Sequence, residues 1–375
     1  MTSTKFAAFA GRFRTGLRNF RSGAALTAMI AWLEQIDPGM HRRIKGLRLV
    51  TAYGIAALLG TQPDIMRGLQ DGASLSALAG GFALWASVFE ARATRAKSSR
   101  DLALLCAADA LGAAWMIVFT PILSGPGRPG PELSLVLAAF LVSYLKRFGV
   151  LGAGIGSQFF IGQMLALTAN LSIADLPMVA VAGVLASVAA IVPRVLSGPA
   201  EQPILPPPAA APPSRLPAEM IMGLQAALAA LVIIVLDHFF NLVESGWAIA
   251  ACTYVVANST AETMRRIRHR IIGTAIGVPL GLACLPIIPY SPILIWIFAA
   301  LAMVIYAMAL PERYDIACGT YAFTLIVTLA VTGETSIFVL ASRAWETLLG
   351  GVLGLGIALV VVPLRTPGGT PLRQR

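Results

Sequence analysis

Asp109, in the run LLCAADALGAAW (104–115), is a carboxylate among apolar neighbours, nine residues beyond Arg100 and so about 13 Å further along a helix. An acid at that depth is costly and marks either a proton carrier or a structural partner of a polar neighbour. Arg343 and Glu346, in ASRAWETLLGG (341–351), are three apart and share one helix face. Counting back from Pro363 puts Arg343 about 30 Å from the inner end of its helix. An intrahelical ion pair, an outer gate and an anion contact all fit that spacing. Thr320, Thr324 and Thr328 recur at steps of four beside Tyr321. This is a polar stripe suited to a water-filled path or to hydrogen bonding between helices. Ser157 and Gln163 are its counterparts earlier in the chain, and Tyr254 and Asn258 share a face on which the tyrosine ring suits a planar ligand. Arg100, Arg147, Arg270 and Arg313 are placed to gather anions at one mouth of such a path.

Other chemistries lack their residues. The chain contains no G-K-[ST], so it has no P-loop of its own. GAGIGSQ (152–158) lies inside an apolar run without the preceding strand that a dinucleotide fold needs, and reads as helix packing. GTAIGVPLG (273–281) reads the same way, with Gly273, Gly277 and Gly281 allowing close backbone approach and Pro279 a candidate kink. Cys106, Cys252, Cys284 and Cys318 stand singly, as do His41, His238 and His269, so neither a metal site nor a cofactor is expected. With no nucleophile, base and orienting group to bring together, an integral-membrane enzyme acting on lipid or polymer is disfavoured.

The elements that must position these residues are membrane spans. Apolar residues make up 57% of the 375 and charged residues 12%, with a mean hydropathy of +0.78, whereas soluble chains carry about 25% charged residues. Spans of about 20 residues read near 44–62, 75–91, 102–120, 133–146, 150–170 and 176–197, then 219–240, 246–261, 271–288, 292–310, 315–332 and 340–364. The expected fold class is therefore all-α, a polytopic membrane protein of about twelve transmembrane helices. Between the sets, the proline-rich linker 198–218 favours an extended, solvated chain. The first 43 residues form a cytoplasmic segment, in which Phe6, Phe9, Phe13, Leu17 and Phe20 alternate with Arg12, Arg14, Arg18 and Arg21. That pattern suits a helix lying on an anionic membrane surface.

With the N-terminus in the cytoplasm, 25 of the 28 Lys and Arg residues fall inside and only Arg67, Arg128 and Arg343 outside. Arg265, Arg266, Arg268 and Arg270 then mark the inner end of two spans. The net charge of +10 is dispersed over loops and tails, which excludes a nucleic-acid-binding domain. The two sets resemble each other: KRFGVLGAG (146–154) lies over ERYDIACGT (312–320), EARATRAKSSRD (90–101) over AETMRRIRHRI (261–271), and AGVLASVAAIVPR (182–194) over GGVLGLGIALVVVPLR (350–365). Six spans per set make 44–197 and 219–365 parallel repeats, with 366–375 a cytoplasmic tail. The overlay sets Asp175 opposite Arg343, positioned for a bridge between the repeats.

At STAETMRRIRHRIIGTAIGVPLG (259–281) and SRAWETLLGGVLGLGIALVVVP (342–363) the chain resembles the fusaric acid resistance-like, or aromatic acid exporter, family. Arg270, Gly273 and Thr274 match an R-x-x-G-T helix, and Arg343, Glu346, Thr347 and Gly350 match an R-x-x-E-T-x-x-G last span. The resemblance implies a bacterial inner-membrane protein, with both termini cytoplasmic, that exports aromatic carboxylic acids or related small organic anions by way of the proton gradient. Its partners would be the small organic anion, the lipid bilayer and a candidate periplasmic adaptor protein, with no nucleic acid. A passive organic-anion channel is the alternative. Larger exporters of the family carry cytoplasmic domains after each membrane block, and here only the linker and a short tail occupy those places.

Overall fold

The computed structural model describes residues 34, 37–66, 72–90, 94–197, 217–240, 242, 245–257, 259–310, 312–331, 333 and 336–360. Most of the N-terminal segment to residue 36, Arg67, the linker 198–216, Asn258 and residues 361–375 lie outside the described residues, as does the side chain of Arg343. Helices carry the described fold, and no strand occurs among the described residues. In chain order they are α1 (His41–Gly60), α2 (Gly72–Phe89), α3 (Arg95–Leu123), α4 (Ser134–Tyr144), α5 (Gly149–Thr168) and α6 (Leu176–Leu196). The second set is α7 (Ala218–Phe240), α8 (Ser245–Val255), α9 (Thr260–Ala283), α10 (Pro292–Ala309), α11 (Tyr314–Val331) and α12 (Ile337–Val360).

Eight helical segments of the described chain are long and apolar enough to cross a membrane, fewer than the expected spans. The reasons are local. Arg42, Arg43, Lys45 and Arg48 crowd the first turns of α1. The apolar part of α2 is short, Leu75–Phe89. α8 is only 11 residues long. α4 and α5 count as one segment, Pro131–Thr168, although the chain reverses between them at Gly149, whose φ of 80° is reached freely only by glycine. The reversal brings Gly156 of α5 against Leu141 of α4, where a Cβ would stand 2.6 Å from the Leu141 carbonyl oxygen.

The run of arginines at 265–270 is helical, where the sequence suggested a loop between two spans. Ser259 caps α9, its Oγ accepting from the Glu262 N–H at 3.2 Å. Glu262 then pairs with Arg266 one turn on, at 2.6 Å. α8 ends at Val255, and the face expected to be shared by Tyr254 and Asn258 involves Asn258, outside the described residues. Pro279 sits within α9, and the helix continues through it to Ala283.

Small residues set the packing. α3 lies on α5 where a Cβ at Gly112 would meet the backbone of Phe159, and one at Gly162 the backbone of Asp109. In the same way α9 lies on α11, Gly273 against Asp315 and Gly277 against Gly319. Such approach maximises dispersion contact where the surroundings offer no hydrophobic drive between helices. Other pairings recur six helices apart: α3–α6 with α9–α12, α2–α6 with α8–α12, and α4–α5 with α10–α11. The sets meet along two seams, α1 with α10 and α7 with α4.

Buried charges are tied together. Ser98 Oγ donates to Glu90 at 2.7 Å, Arg194 Nε donates to Ser98 at 2.9 Å, and Lys45 Nζ donates to the Glu90 carbonyl at 2.9 Å. Unpaired, each would cost several kcal/mol, on the order of the idealised desolvation penalty after relaxation. Apolar side chains such as Leu111, Val184, Leu196, Ile293 and Leu301 face outward, as a lipid-facing surface requires.

Candidate functional site

Arg270 projects from the fourth turn of α9, just before the glycines that seat α9 on α11. That contact brings it against Tyr314, and within electrostatic reach of Cys318 and Tyr321 on α11 and Tyr254 on α8. Tyr321 in turn belongs to a cluster of three aromatic rings. Trp85 of α2 meets Tyr321 edge-on, with centroids 5.5 Å apart, and Tyr306 of α10 at 6.2 Å. Tyr306 and Tyr321 are 6.3 Å apart. The three rings are each partly buried, as is Arg270. Trp85 belongs to the first set of helices and the tyrosines to the second, so the cluster lies where the sets meet. A guanidinium beside ring faces and edges can take a carboxylate in a two-pronged hydrogen bond while the rings take a planar apolar body.

Asp109 is fully buried, and neither of its carboxylate oxygens has a hydrogen-bond partner in the described structure. It lies within electrostatic reach of Tyr254, whose ring packs edge-on to Phe160 at 5.8 Å and whose hydroxyl stands beside Ser157 of α5. No ion pair with Asp109 forms among the described residues. Asp109, Tyr254 and Arg270 thus lie in sequence across the junction: an acid on α3, a phenol on α8 and a base on α9.

The other expected site residues are distributed differently. Arg100 is exposed and pairs with Asp101 at 3.3 Å, and Arg313 is exposed and pairs with Asp315 at 2.9 Å. Arg147 donates to the Tyr144 hydroxyl at 2.9 Å and lies 5.2 Å from the ring centres of Tyr144 and Phe148. Of the four proposed mouth arginines, Arg270 is therefore the one inside the bundle. Gln163 is fully buried and accepts from Ser134 Oγ at 2.9 Å, which pins α4 to α5. Thr320, Thr324 and Thr328 each donate to a carbonyl of their own helix, at 2.9, 2.9 and 2.7 Å, and remain partly exposed. Glu346 is buried on α12. Asp175 accepts from both the N–H and the hydroxyl of Ser172, at 2.8 and 2.9 Å, in a capping box.

Trp85, Tyr306 and Tyr314 were not singled out from the sequence. The signal that could have found them is composition: tryptophan in a helix of small residues, and tyrosines on both sides of the α10–α11 turn. Cys106, Cys252 and Cys318 are buried and Cys284 is half-buried, and no group of three metal-ligating side chains occurs among the described residues.

Comparison with known proteins bears on the second set of helices. Residues 228–357 match the family described as Fusaric acid resistance protein-like. The chain is also similar to the Uncharacterized protein slr1298 of Synechocystis sp., 27% identical over 137 residues, which cover 36% of this chain and 18% of that protein. The match thus spans less than a fifth of the relative's length. No solved structure matches the chain.

Proposed function

We propose, from the match of residues 228–357 to the fusaric acid resistance protein-like family, that the protein is an inner-membrane transporter exporting aromatic carboxylic acids or related organic anions. The observation that carries the substrate class is Arg270 against Tyr314 and within electrostatic reach of Tyr321, whose ring meets Trp85 and Tyr306 where the two helix sets join. A partly buried guanidinium selects for a carboxylate, and the rings select for a flat apolar remainder. Thr320, Thr324 and Thr328 continue that face along α11 with hydroxyl oxygens.

The architecture proposed is twelve spans in two parallel six-helix repeats, with both termini cytoplasmic. Pairings that recur six helices apart, and the reciprocal α1–α10 and α7–α4 seams, support it. Asp109 is the proposed proton carrier. It is buried without an ionic partner and sits one phenol away from the anion site, so its protonation state and anion occupancy influence each other through Tyr254. Glu346 and Arg343 on α12 remain candidates for an outer gate. The substrate itself, the bilayer and a periplasmic adaptor are the proposed partners.

The test is accumulation of labelled aromatic acids in inverted membrane vesicles, with and without a proton gradient. The expected outcome is gradient-dependent accumulation that Asp109→Asn reduces to equilibration. Flux that never exceeds equilibrium in wild type replaces the pump with an anion channel, and no flux removes the transport reading.

A further inference from the structure

Four helix ends of the first set meet around a small cavity. Its wall includes Lys45 and Arg48 from the first two turns of α1, Ser87 and Glu90 at the end of α2, and Arg194 in the last turn of α6. Arg48, Ser87, Glu90 and Arg194 are buried, and Lys45 is half-buried. Their positions are fixed by the hydrogen bonds described above. Ser98, in the first turn of α3, bridges Glu90 and Arg194, Lys45 holds the carbonyl of the same glutamate, and Arg194 Nε lies 3.8 Å from the Glu90 carboxylate. Arg48 is within electrostatic reach of Arg194 and Glu90, and of Arg95 at the start of α3. The wall thus carries three bases, Lys45, Arg48 and Arg194, against one acid, Glu90, a formal excess of two positive charges. Hydrogen bonds satisfy donors without removing charge. The next carboxylate along α3, Asp101, is engaged by Arg100 at 3.3 Å and does not line the cavity. α1 and α3 begin here while α2 and α6 end here, so their macrodipoles oppose one another and do not offset the excess.

We propose that this cavity binds one small monovalent anion of halide size, chloride in the cell, which neutralises the excess and ties α1, α2 and α6 together at that end. Like charges held close and out of water repel strongly, and a counter-ion between them relieves the repulsion. The size of the cavity selects the ion. Its volume is about 10 Å³, near the lower limit of about 10–15 Å³ for one water-sized occupant. That admits a monatomic anion and excludes sulfate. It also excludes an aromatic carboxylate, since sites for such ligands run to about 300 Å³ or more. The site is therefore separate from Arg270 and holds whether or not the protein carries aromatic acids. A water fits the space as well, but it brings no charge.

The test uses the full chain in detergent, exchanged into sodium gluconate. Replacing gluconate by chloride at constant ionic strength is expected to raise Tm by about 2 °C or more. Bromide is expected to act like chloride, and sulfate is expected to give no rise beyond gluconate. The ³⁵Cl NMR line is expected to broaden with wild-type protein and to sharpen again when bromide competes. Arg48→Gln is expected to move the chloride midpoint upward at least tenfold. Ser87→Asp sets a carboxylate on the cavity wall in place of the ion. It is expected to keep the higher Tm in gluconate and to lose the chloride dependence, and it keeps the test decisive if Arg48→Gln fails to fold. A Tm indifferent to chloride, or an equal response to sulfate, overturns the site. So does a Ser87→Asp protein that responds to chloride like wild type or that is destabilised in both salts.

Discussion

The α3–α5 and α9–α11 contacts use one device for two purposes. In each, glycines let helix backbones touch: Gly112 and Gly162 in the first, Gly273 and Gly277 in the second. Beside the first contact the chain buries an acid, Asp109, and beside the second it places a base, Arg270. The backbone arrangement repeats while the charge it carries is reversed. Packing here supplies the scaffold, and the side chains beside it differ in charge between the two contacts.

The comparison breaks most severely at the glycines. Gly162→Ala and Gly277→Ala drive a methyl into a backbone carbonyl and are expected to cost about 1–3 kcal/mol each, read as a lowered Tm in detergent. Gly356→Ala, whose Cβ meets nothing within 4 Å, is expected to gain about 0.5–1 kcal/mol from helix propensity. If all three behave alike, the α3–α5 and α9–α11 contacts are not close.

Next in size is the base. Arg270→Gln is expected to weaken binding of an aromatic carboxylate at least tenfold, about 1.4 kcal/mol, with little change in Tm. Trp85→Ala and Tyr321→Ala are expected to weaken it less and to act alike on benzoate and larger arenes, as measured by calorimetric titration. The acid sharpens the contrast: Asp109→Asn is expected to leave benzoate affinity within about twofold, under 0.5 kcal/mol, while removing gradient-dependent accumulation.

The smallest effect concerns pH at the α1–α10 seam. The Arg42 guanidinium holds the Glu312 carboxyl below the usual range by hydrogen bonding and charge. A depressed folded-state value means the stabilisation is complete above the unfolded value of about 4.5. It is lost as pH falls through the lower folded value. Acid titration of Glu312 by NMR is expected to return toward the ordinary range in Arg42→Gln.

Much of this was legible in the sequence where periodicity carries the signal. Four-residue glycine spacing at 273–281 announced a close helix contact, though not its partner, and the depth of Asp109 announced its burial. The cap at Ser259 was also written there, as S-x-x-E, yet the basic run that follows it reads as the loop between two spans. The aromatic cluster was not legible. Trp85 belongs to the first set and Tyr306 and Tyr321 to the second, and only the meeting of the two sets brings the tryptophan ring to the tyrosines. Nor could spacing tell that Gln163 would be spent on Ser134, since both lie on apolar helices with several faces to choose from.

The most direct test of the central claim is calorimetric titration of the purified protein with benzoate and with benzamide, its uncharged isostere, in wild type and Arg270→Gln. The account predicts that wild type binds benzoate and not benzamide, and that the variant loses this preference. Equal binding of both ligands by wild type, or benzoate binding unchanged in Arg270→Gln, would contradict it.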